Sequence, residues 1–412
     1  MNLKHPIRSY RDFAIVYTPG VAEPCNEIFK DPDKVFDYTN KPNFVAVVSD
    51  GSRVLGLGNI GAHGSLPVLE GKAVLFKYLA DVDAFPVALG TQNPDDIITA
   101  VKWLSPTFAG INLEDIASPK CFYVLERLID ELDIFVWHDD QQGTATVILA
   151  GVINALKLVG KKINEIQIAI IGAGAAGLPT VKLLVDTGAR PGNVFVVDSG
   201  GILNTRRLPD LNEYKQRMAK QTNKEEREGG IAEAMRGVDL TISISKPGPG
   251  VITKDMVASM ADDAIVFALA NPVPEISPPE AKKGGARIVA TGRSDYPNQV
   301  NNSLGFPAII RGSLDVLAPT INVDMQIAAA EELAKFSEEK GITEDYITPT
   351  MSEFDVFPRE AAAVARAAIK TGMARIKVDP DEILRDTQRR VEKYHKVLAI
   401  MTKEGLFDRF PD

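Results

Sequence analysis

Residues 167–177 read Gln-Ile-Ala-Ile-Ile-Gly-Ala-Gly-Ala-Ala-Gly. The apolar run predicts a buried strand, and the glycines that follow it have the GxGxxG spacing that opens a dinucleotide-binding helix. The first glycine permits a tight turn, the second lets backbone approach a pyrophosphate, and the third lets the helix pack on the strand. The helix N-terminus would present free N–H groups to the phosphates. The predicted cofactor contacts are therefore Gly172, Gly174, Ala175, Ala176 and Gly177, and a purely structural turn is the alternative.

An acidic residue ends the next apolar run. Asp198 lies 21 residues beyond Gly177, where we expect it to accept hydrogen bonds from the adenine ribose hydroxyls. An acid there repels a 2′-phosphate, which favours NAD. Arg206 and Arg207 follow closely and could receive that phosphate, so NADP remains the alternative cofactor.

The rest of the chain alternates short apolar runs with longer segments of helical periodicity, which predicts an α/β fold with parallel sheets. The predicted strands are Phe44–Val48, Phe85–Leu89, Phe108–Ile111, Ile134–Trp137, Ile166–Ile171, Val194–Val197, Leu240–Ile244, Ile265–Leu269 and Arg287–Ala290. We expect an N-terminal α/β domain over residues 1–160 and a Rossmann-type dinucleotide-binding domain over 161–318. Residues 319–412 are rich in Ala, Glu and Lys and predict helices that pack back on the core.

Composition excludes several classes of protein. The 412 residues include 46 Lys and Arg against 55 Asp and Glu, a net charge of −9, which argues against a nucleic-acid or anionic-membrane binder. We find no apolar run near the ~20 residues that a membrane span needs, and no secretory signal at the N-terminus. Two cysteines cannot form a disulfide framework or a cysteine-based zinc site. These features predict a cytoplasmic protein.

A second glycine motif, Gly56-Leu-Gly-Asn-Ile-Gly61, follows a short and charged segment. The acids after it, Asp81 and Asp83, precede an apolar run rather than end one. A close-packed turn, or a backbone nest that lines the site, is therefore favoured over a second dinucleotide site.

Carboxylates follow two neighbouring strand runs. Glu114 and Asp115 come after one run, and Asp139 and Asp140 after the next. Ligands gather outside the carboxyl ends of parallel strands, so these loops could face one crevice. Several carboxylates without cysteine partners suit a hard cation, Mg²⁺ or Mn²⁺. The open alternative is that Glu114 and Asp139 cap helices.

Three other residues have two interpretations each. Lys72 lies in an apolar helical segment, where desolvation would lower its pKa toward that of a general base, but a snorkelling surface lysine is favoured. Tyr17 would by itself be taken as a core aromatic. Arg53 could be a surface charge or a bidentate clamp for a carboxylate.

Together these segments resemble malic enzyme, in its short prokaryotic form. The resemblance runs over nearly the whole chain and rests on independent blocks: Tyr17-Thr-Pro-Gly-Val-Ala-Glu-Pro, Ser49-Asp-Gly-Ser-Arg-Val-Leu-Gly-Leu-Gly-Asn-Ile-Gly, Glu70-Gly-Lys, Asn112-Leu-Glu-Asp, His138-Asp-Asp-Gln-Gln-Gly-Thr, Gly172-Ala-Gly-Ala-Ala-Gly, Ala268-Leu-Ala-Asn-Pro and Asn301-Asn-Ser-Leu-Gly-Phe-Pro.

The resemblance implies a role for each matching position. Lys72 matches the general base, Tyr17 the general acid and Asp139 a neighbouring acid of the catalytic site. The implied metal ligands are Glu114, Asp115 and Asp140, and the implied substrate or nicotinamide contacts are Arg53, Asn271 and Asn302.

The implied activity is oxidative decarboxylation of (S)-malate to pyruvate and CO₂ with NAD or NADP, dependent on a divalent metal. A homodimer or a higher homo-oligomer is also implied. Two alternatives stay open: a 2-hydroxy-acid dehydrogenase that does not decarboxylate, and a catalytically inactive NAD-binding regulatory protein.

Overall fold

The protein contains two parallel sheets joined by a buried helix, in a computed structural model that describes residues 6–54 and 56–407. The strands are β1 Phe44–Ser49, β2 Asp83–Ala88, β3 Gly110–Leu113, β4 Phe135–His138, β5 Ile168–Ile171, β6 Val194–Asp198, β7 Gly201–Ile202, β8 Leu240–Ser243, β9 Ile265–Ala268 and β10 Ile288–Thr291. The helices are α1 Tyr10–Val16, α2 Ala22–Lys30, α3 Val35–Tyr38, α4 Gly61–Ala80, α5 Pro94–Leu104, α6 Lys120–Glu131, α7 Thr144–Val159, α8 Gly177–Asp186, α9 Glu213–Gln221, α10 Ile231–Met235, α11 Lys254–Ala258, α12 Pro278–Lys283, α13 Phe306–Asp315, α14 Val323–Lys340, α15 Val356–Lys370 and α16 Pro380–Lys403.

The strand order is β2-β1-β3-β4 in the first sheet and β10-β9-β8-β5-β6-β7 in the second. All pairings are parallel except that of β7, which runs antiparallel to β6. The nine predicted strands are all present, and the predicted α/β class is confirmed. Strand β7 was not predicted because two residues carry no periodic pattern.

The first sheet is covered on both faces. Val45 and Val47 pack in one apolar cluster with residues of α4 and α13, whereas Ala46 and Val48 face the opposite way, into a cluster with residues of α5 and α6. Both sets are fully buried. Burial on both faces explains why β1 is a continuous apolar run rather than an alternating one.

Helix α7 links the two sheets through the core. Together with the π-helical turn Asp139–Gly143 before it, α7 forms a helical segment of 21 residues. An 18-residue stretch of this segment has a mean hydropathy of 1.4, so it is long and apolar enough to span a membrane by length and composition alone. The expectation that no segment approaches that length is therefore wrong. However, 67% of this stretch is buried inside the fold. The side-chain amide of Asn154 also donates to Ala334 O at 2.8 Å and to Ile347 O at 2.9 Å. These contacts are those of a core helix.

The C-terminal helices pack back on helices of the core, with α14 against α7. Helices α14, α15 and α16 match the predicted helical segments, and Asp379 caps α16 by accepting from Asp381 N at 3.1 Å. Helix α15 packs on α13 and α14, and α16 contacts α4. The domain limits at residues 160 and 318 stay predictions.

Candidate active site

A cavity of about 400 Å³ opens between the two sheets. Strands β3 and β4 of the first sheet, and β5, β8 and β9 of the second, point their carboxyl ends toward it, as expected for a ligand site in open α/β sheets. The predicted site residues that line it are Arg53, Lys72, Glu114, Asp115, Asp140, Gly174, Ala175, Ala176, Asn271 and Asn302. The predicted residues Tyr17, Asp139, Gly172, Gly177 and Asp198 are not among its lining residues.

Three carboxylates converge on one side of the cavity. Oxygen atoms of Glu114, Asp115 and Asp140 lie within 4.8 Å of one another. The parallel pairing of β3 with β4 places Leu113 beside His138, so the acids that follow the two strands become neighbours. Asp115 N also donates to Asp140 Oδ2 at 2.8 Å, which ties the two loops together.

The capping alternative is wrong for both acids to which it was applied. Helix α6 begins at Lys120 without a side-chain cap, and no side chain caps α7. Glu114 accepts instead from Asn112 Nδ2 at 3.1 Å, and Asp139 accepts from Trp137 Nε1 at 3.3 Å.

The three converging acids fit a hard divalent cation. Burial raises the pKa of Glu114 well above its usual range; Lys72 opposes this shift, and the neighbouring Asp140, Asp139 and Asp115 add to it. A cation would offset this concentration of buried negative charge. The donors are all carboxylate oxygens, the ligand type that Mg²⁺ and Mn²⁺ prefer.

Lys72 lies in the middle of α4, and only 8% of it is exposed. Its Nζ contacts Asp139, lies 3.3 Å from Glu114 Oε1 and sits 4.3 Å from the ring centre of Phe306. Burial lowers the pKa of Lys72, but Asp139 and Glu114 raise it more, so the pKa is above its ordinary value. The predicted snorkelling surface lysine and the predicted fall in pKa are therefore both wrong.

Arg53 stands at the cavity with an exposed side chain. Its backbone N–H donates to Asp115 O at 3.0 Å, so the arginine is attached to the carboxylate loop. Asp115 has φ +55°, a left-handed conformation that aspartate tolerates better than most residues. Arg53 is thus solvent-exposed and lines the cavity, and its role as a clamp for a carboxylate stays a prediction.

The glycine motif has the geometry that each of its glycines requires. Gly172 has φ +120°, and a Cβ there would lie 2.4 Å from Ile244 O. A Cβ on Gly177 would lie 1.8 Å from Gly172 O, so only glycine lets α8 start this close to the turn. A Cβ on Gly174 would meet nothing within 4 Å, because this residue borders the cavity.

Asp198 lies at the end of β6, as predicted, but it is already paired. Its Oδ1 accepts from Arg207 Nη2 and its Oδ2 from Lys215 Nζ, each at 2.8 Å. Burial raises the pKa of Asp198, but the hydrogen bonds from Lys215 and Arg207 more than offset this, so its pKa is below the usual range. Arg206 pairs instead with Glu228 at the surface.

Comparisons with known proteins show which proteins the chain is similar to. The model of the malic enzyme N-terminal domain matches residues 2–129, and that of the malic enzyme NAD-binding domain matches residues 141–369. The bifunctional malic/malolactic enzyme of Bacillus subtilis is 50% identical over 386 residues, which cover 94% of this chain and 93% of that protein.

The NAD-dependent malic enzyme of Geobacillus stearothermophilus is 48% identical over 374 residues, which cover 91% of this chain and 77% of that protein. The crystal structure of malic enzyme from Pyrococcus horikoshii superposes with a TM-score of 0.94 at 55% identity, covering 98% of this chain and 94% of that one. Other relatives at 42–44% identity are named as NADP-dependent malic enzymes.

The chain belongs to the malic enzyme family. The family resemblance seen in the sequence is thus confirmed, and so is the predicted enzyme class, an oxidoreductase with a nicotinamide-cofactor domain.

Tyr17 is the residue of the malic enzyme pattern that the fold does not bring to the site. Its surface is 70% exposed, so the interpretation as a core aromatic is wrong. Helices α1, α2 and α3 around it contain no buried residue. The large apolar residues that this N-terminal arm, residues 10–38, exposes are Tyr10, Phe13, Ile15, Val16, Tyr17, Val21, Phe29 and Tyr38.

The second glycine motif is a tight turn, as favoured from the sequence. Val54 N donates to Gly58 O at 2.9 Å, and Gly58 has φ +81°. A Cβ on Gly56 would lie 2.8 Å from Asn271 O, so this turn of the first domain approaches the loop after β9. Ser245 and Asn301 also line the cavity and were missed. The position of Ser245, just past the end of β8, was the available signal.

Proposed function

We propose that this chain oxidises (S)-malate with NAD and decarboxylates the product, giving pyruvate, CO₂ and NADH, in a reaction that depends on a divalent metal. The observation that carries the proposal is the shared cavity. It joins the carboxylates and Lys72 of the first sheet to the glycine turn of the second, so a substrate and a dinucleotide can meet there.

The chain's own residues account for binding and for proton transfer. Glu114, Asp115 and Asp140 would hold the cation. A bound Mg²⁺ or Mn²⁺ would polarise the malate hydroxyl and stabilise the negative charge that develops on the same oxygen during decarboxylation. Arg53 presents a planar fork that matches a malate carboxylate.

Lys72 accepts the hydroxyl proton as hydride leaves C2, and the C3–C4 bond then breaks to release CO₂. Coordination by Glu114 would withdraw one of the two carboxylates that raise the pKa of Lys72, which favours the neutral amine that a base requires. Asp139 holds the lysine toward the cavity. Tyr17 then donates a proton to C3 of the enolate, which gives pyruvate.

The test is turnover of malate with and without Mn²⁺, in wild type and in Asp140→Asn. NADH and pyruvate should form in equal amounts, and the variant should need much more Mn²⁺ because it exchanges a charged ligand for a neutral one. Asp130→Asn, an exposed acid on α6, is the matched control and should behave as wild type. NADH without pyruvate would identify a non-decarboxylating dehydrogenase, and no NADH would indicate a binding protein.

The preference for NAD rests on Asp198. Its carboxylate occupies Arg207 and Lys215, so these cations are neutralised where a 2′-phosphate would need them. Some relatives are named NAD-dependent and others NADP-dependent, so their names do not indicate which cofactor this chain prefers. A higher kcat/KM with NADP than with NAD would overturn the preference.

We also propose that the chain is a homodimer in which Tyr17 serves the site of the second copy. Tyr17 lies outside the cavity of its own chain, and the N-terminal arm exposes a run of apolar side chains that have no core of their own. Exposed apolar surface of this kind marks an interaction site. A second copy that covers the arm would explain both observations.

Mixing two inactive variants tests this arrangement. Tyr17→Phe retains the lysine and Lys72→Ala retains the tyrosine, so a heterodimer has one intact site only if the tyrosine acts across the interface. An equal mixture should recover about a quarter of wild-type activity, since half of the dimers are mixed and each has one of two sites intact. No recovery after subunit exchange, demonstrated by mass, would place both residues in one chain. The cytoplasmic location and the absence of nucleic-acid and membrane partners stay predictions.

A further inference from the structure

Glu275 is a fully buried carboxylate in the loop between β9 and α12, and the mechanism above does not use it. Its Oε1 accepts from Ser243 Oγ at 2.8 Å, from Ser245 N at 2.9 Å and from Ser245 Oγ at 3.2 Å. Its Oε2 accepts from Ala270 N at 3.1 Å. One side chain therefore binds the loop after β8 and the loop after β9 at the same time.

Both of these loops reach the cavity. Ser245, Ala270 and Asn271 line it, and each is bonded to Glu275 or adjacent to a residue that is. The two loops are further joined by Gly248 N, which donates to Val273 O at 3.1 Å. Burying a carboxylate is costly unless hydrogen bonds satisfy it, and here both oxygens are satisfied only while the two loops keep their present positions.

We propose that Glu275 is a positioning residue that sets Asn271 and Ser245 against the nicotinamide end of the cofactor. This rests on the proposed function and on the family resemblance, which implies that Asn271 contacts the substrate or the nicotinamide. Each carboxylate oxygen fixes one loop, so the register between the loops depends on an acceptor at both atoms. A displacement of about 1 Å at a reacting centre can cost about 100-fold in rate.

Glu275→Gln tests the inference because it keeps the shape and replaces one acceptor by an N–H₂ donor. If the amide oxygen keeps the serine contacts, the amide nitrogen faces Ala270 N–H, donor against donor. We expect kcat for malate oxidation to fall about 10- to 100-fold, and the deuterium isotope effect with 2-deuterated malate to rise as hydride transfer becomes slower. Metal-dependent decarboxylation of added oxaloacetate, which needs no hydride transfer, should stay within about twofold.

Two further variants complete the design. Glu280→Gln alters an exposed acid on α12 that pairs with Lys283, and it should match wild type in every assay. Glu275→Asp keeps the charge but is one methylene shorter, so it should fold. We expect malate oxidation to fall more than oxaloacetate decarboxylation in this variant too, by a smaller factor. If Glu275→Gln does not fold, Glu275→Asp provides the test of the positioning role.

The outcomes separate this inference from the proposed function. Wild type that makes no NADH from malate and Mn²⁺ would refute the function itself. Active wild type with an unchanged Glu275→Gln variant would refute the positioning role. An equal loss of oxidation and decarboxylation, accompanied by a lower Tm, would also refute it and reduce Glu275 to a structural residue.

Discussion

The two sheets form their halves of the cavity by different physical means. On the side of the first sheet the cavity has buried charged side chains, Lys72 of α4 and Glu114, which with Asp139 behind them shift one another's pKa. The second sheet contributes mainly backbone, through Gly174, Ala175 and Ala176, which follow the tight turn at Gly172 and lead into α8. Side-chain charge can be changed without moving the chain, whereas an added Cβ in the glycine turn causes strain where it meets other backbone, as it would at Gly177. Variants in the two halves should therefore fail in different ways.

The largest effect is expected in the first half, from Lys72→Ala. A general base typically contributes about 10²–10⁴-fold, so malate turnover should fall by that factor at neutral pH. Decarboxylation of added oxaloacetate should fall less because it needs no base at the hydroxyl. Lys77→Ala, on the same helix but paired with Asp81 and Asp83, is the matched control. Near wild-type turnover in Lys72→Ala would show that another group is the base.

Effects of intermediate size are expected in the second half, where two glycine variants should separate a loss of stability from a loss of NADH binding. Gly177→Ala places a Cβ 1.8 Å from Gly172 O, which should destabilise the protein by about 1–3 kcal/mol and lower its Tm. Gly174→Ala meets nothing within 4 Å but extends toward the cavity, so it should keep the Tm and weaken NADH binding. Fluorescence titration with NADH and a thermal melt measure the two effects. Equal melting temperatures for the two variants would contradict the backbone argument.

The smallest effect is expected where the second half does use charge. Asp198→Ser would free Arg207 and Lys215 to bind a 2′-phosphate, and the ratio of kcat/KM for NADP to that for NAD should rise about tenfold, equivalent to about 1.4 kcal/mol. Glu228→Gln, which frees Arg206 instead, should leave the ratio unchanged. If this ratio rose in Glu228→Gln and not in Asp198→Ser, Arg206 would be the residue that determines the cofactor preference.

Local patterns predicted most of the fold, and together with the family resemblance they named ten of the residues that line the cavity. The nine strands were correct because each is a short apolar run, a signal contained within a few residues; all are largely buried except the edge strand β2, which is only partly buried. The carboxylates at the ends of β3 and β4 were predicted to converge because neighbouring parallel strands end at one edge. Strand β7 and the contacts of Glu275 had no such local signal. The length of the helical segment through α7 was also missed, since it depends on how the turn at Asp139–Gly143 joins the helix.

By itself the sequence determined the elements, the glycine turn and the family, since these depend on residues close together in the chain. Only the tertiary structure decided the state of Lys72, because its pKa reflects Asp139, a residue 67 positions away that the fold brings into contact. It also decided that Asp198 is paired and that Tyr17 is exposed. Burial and charge at a site are sums over residues that are distant in sequence, so no local pattern contains them.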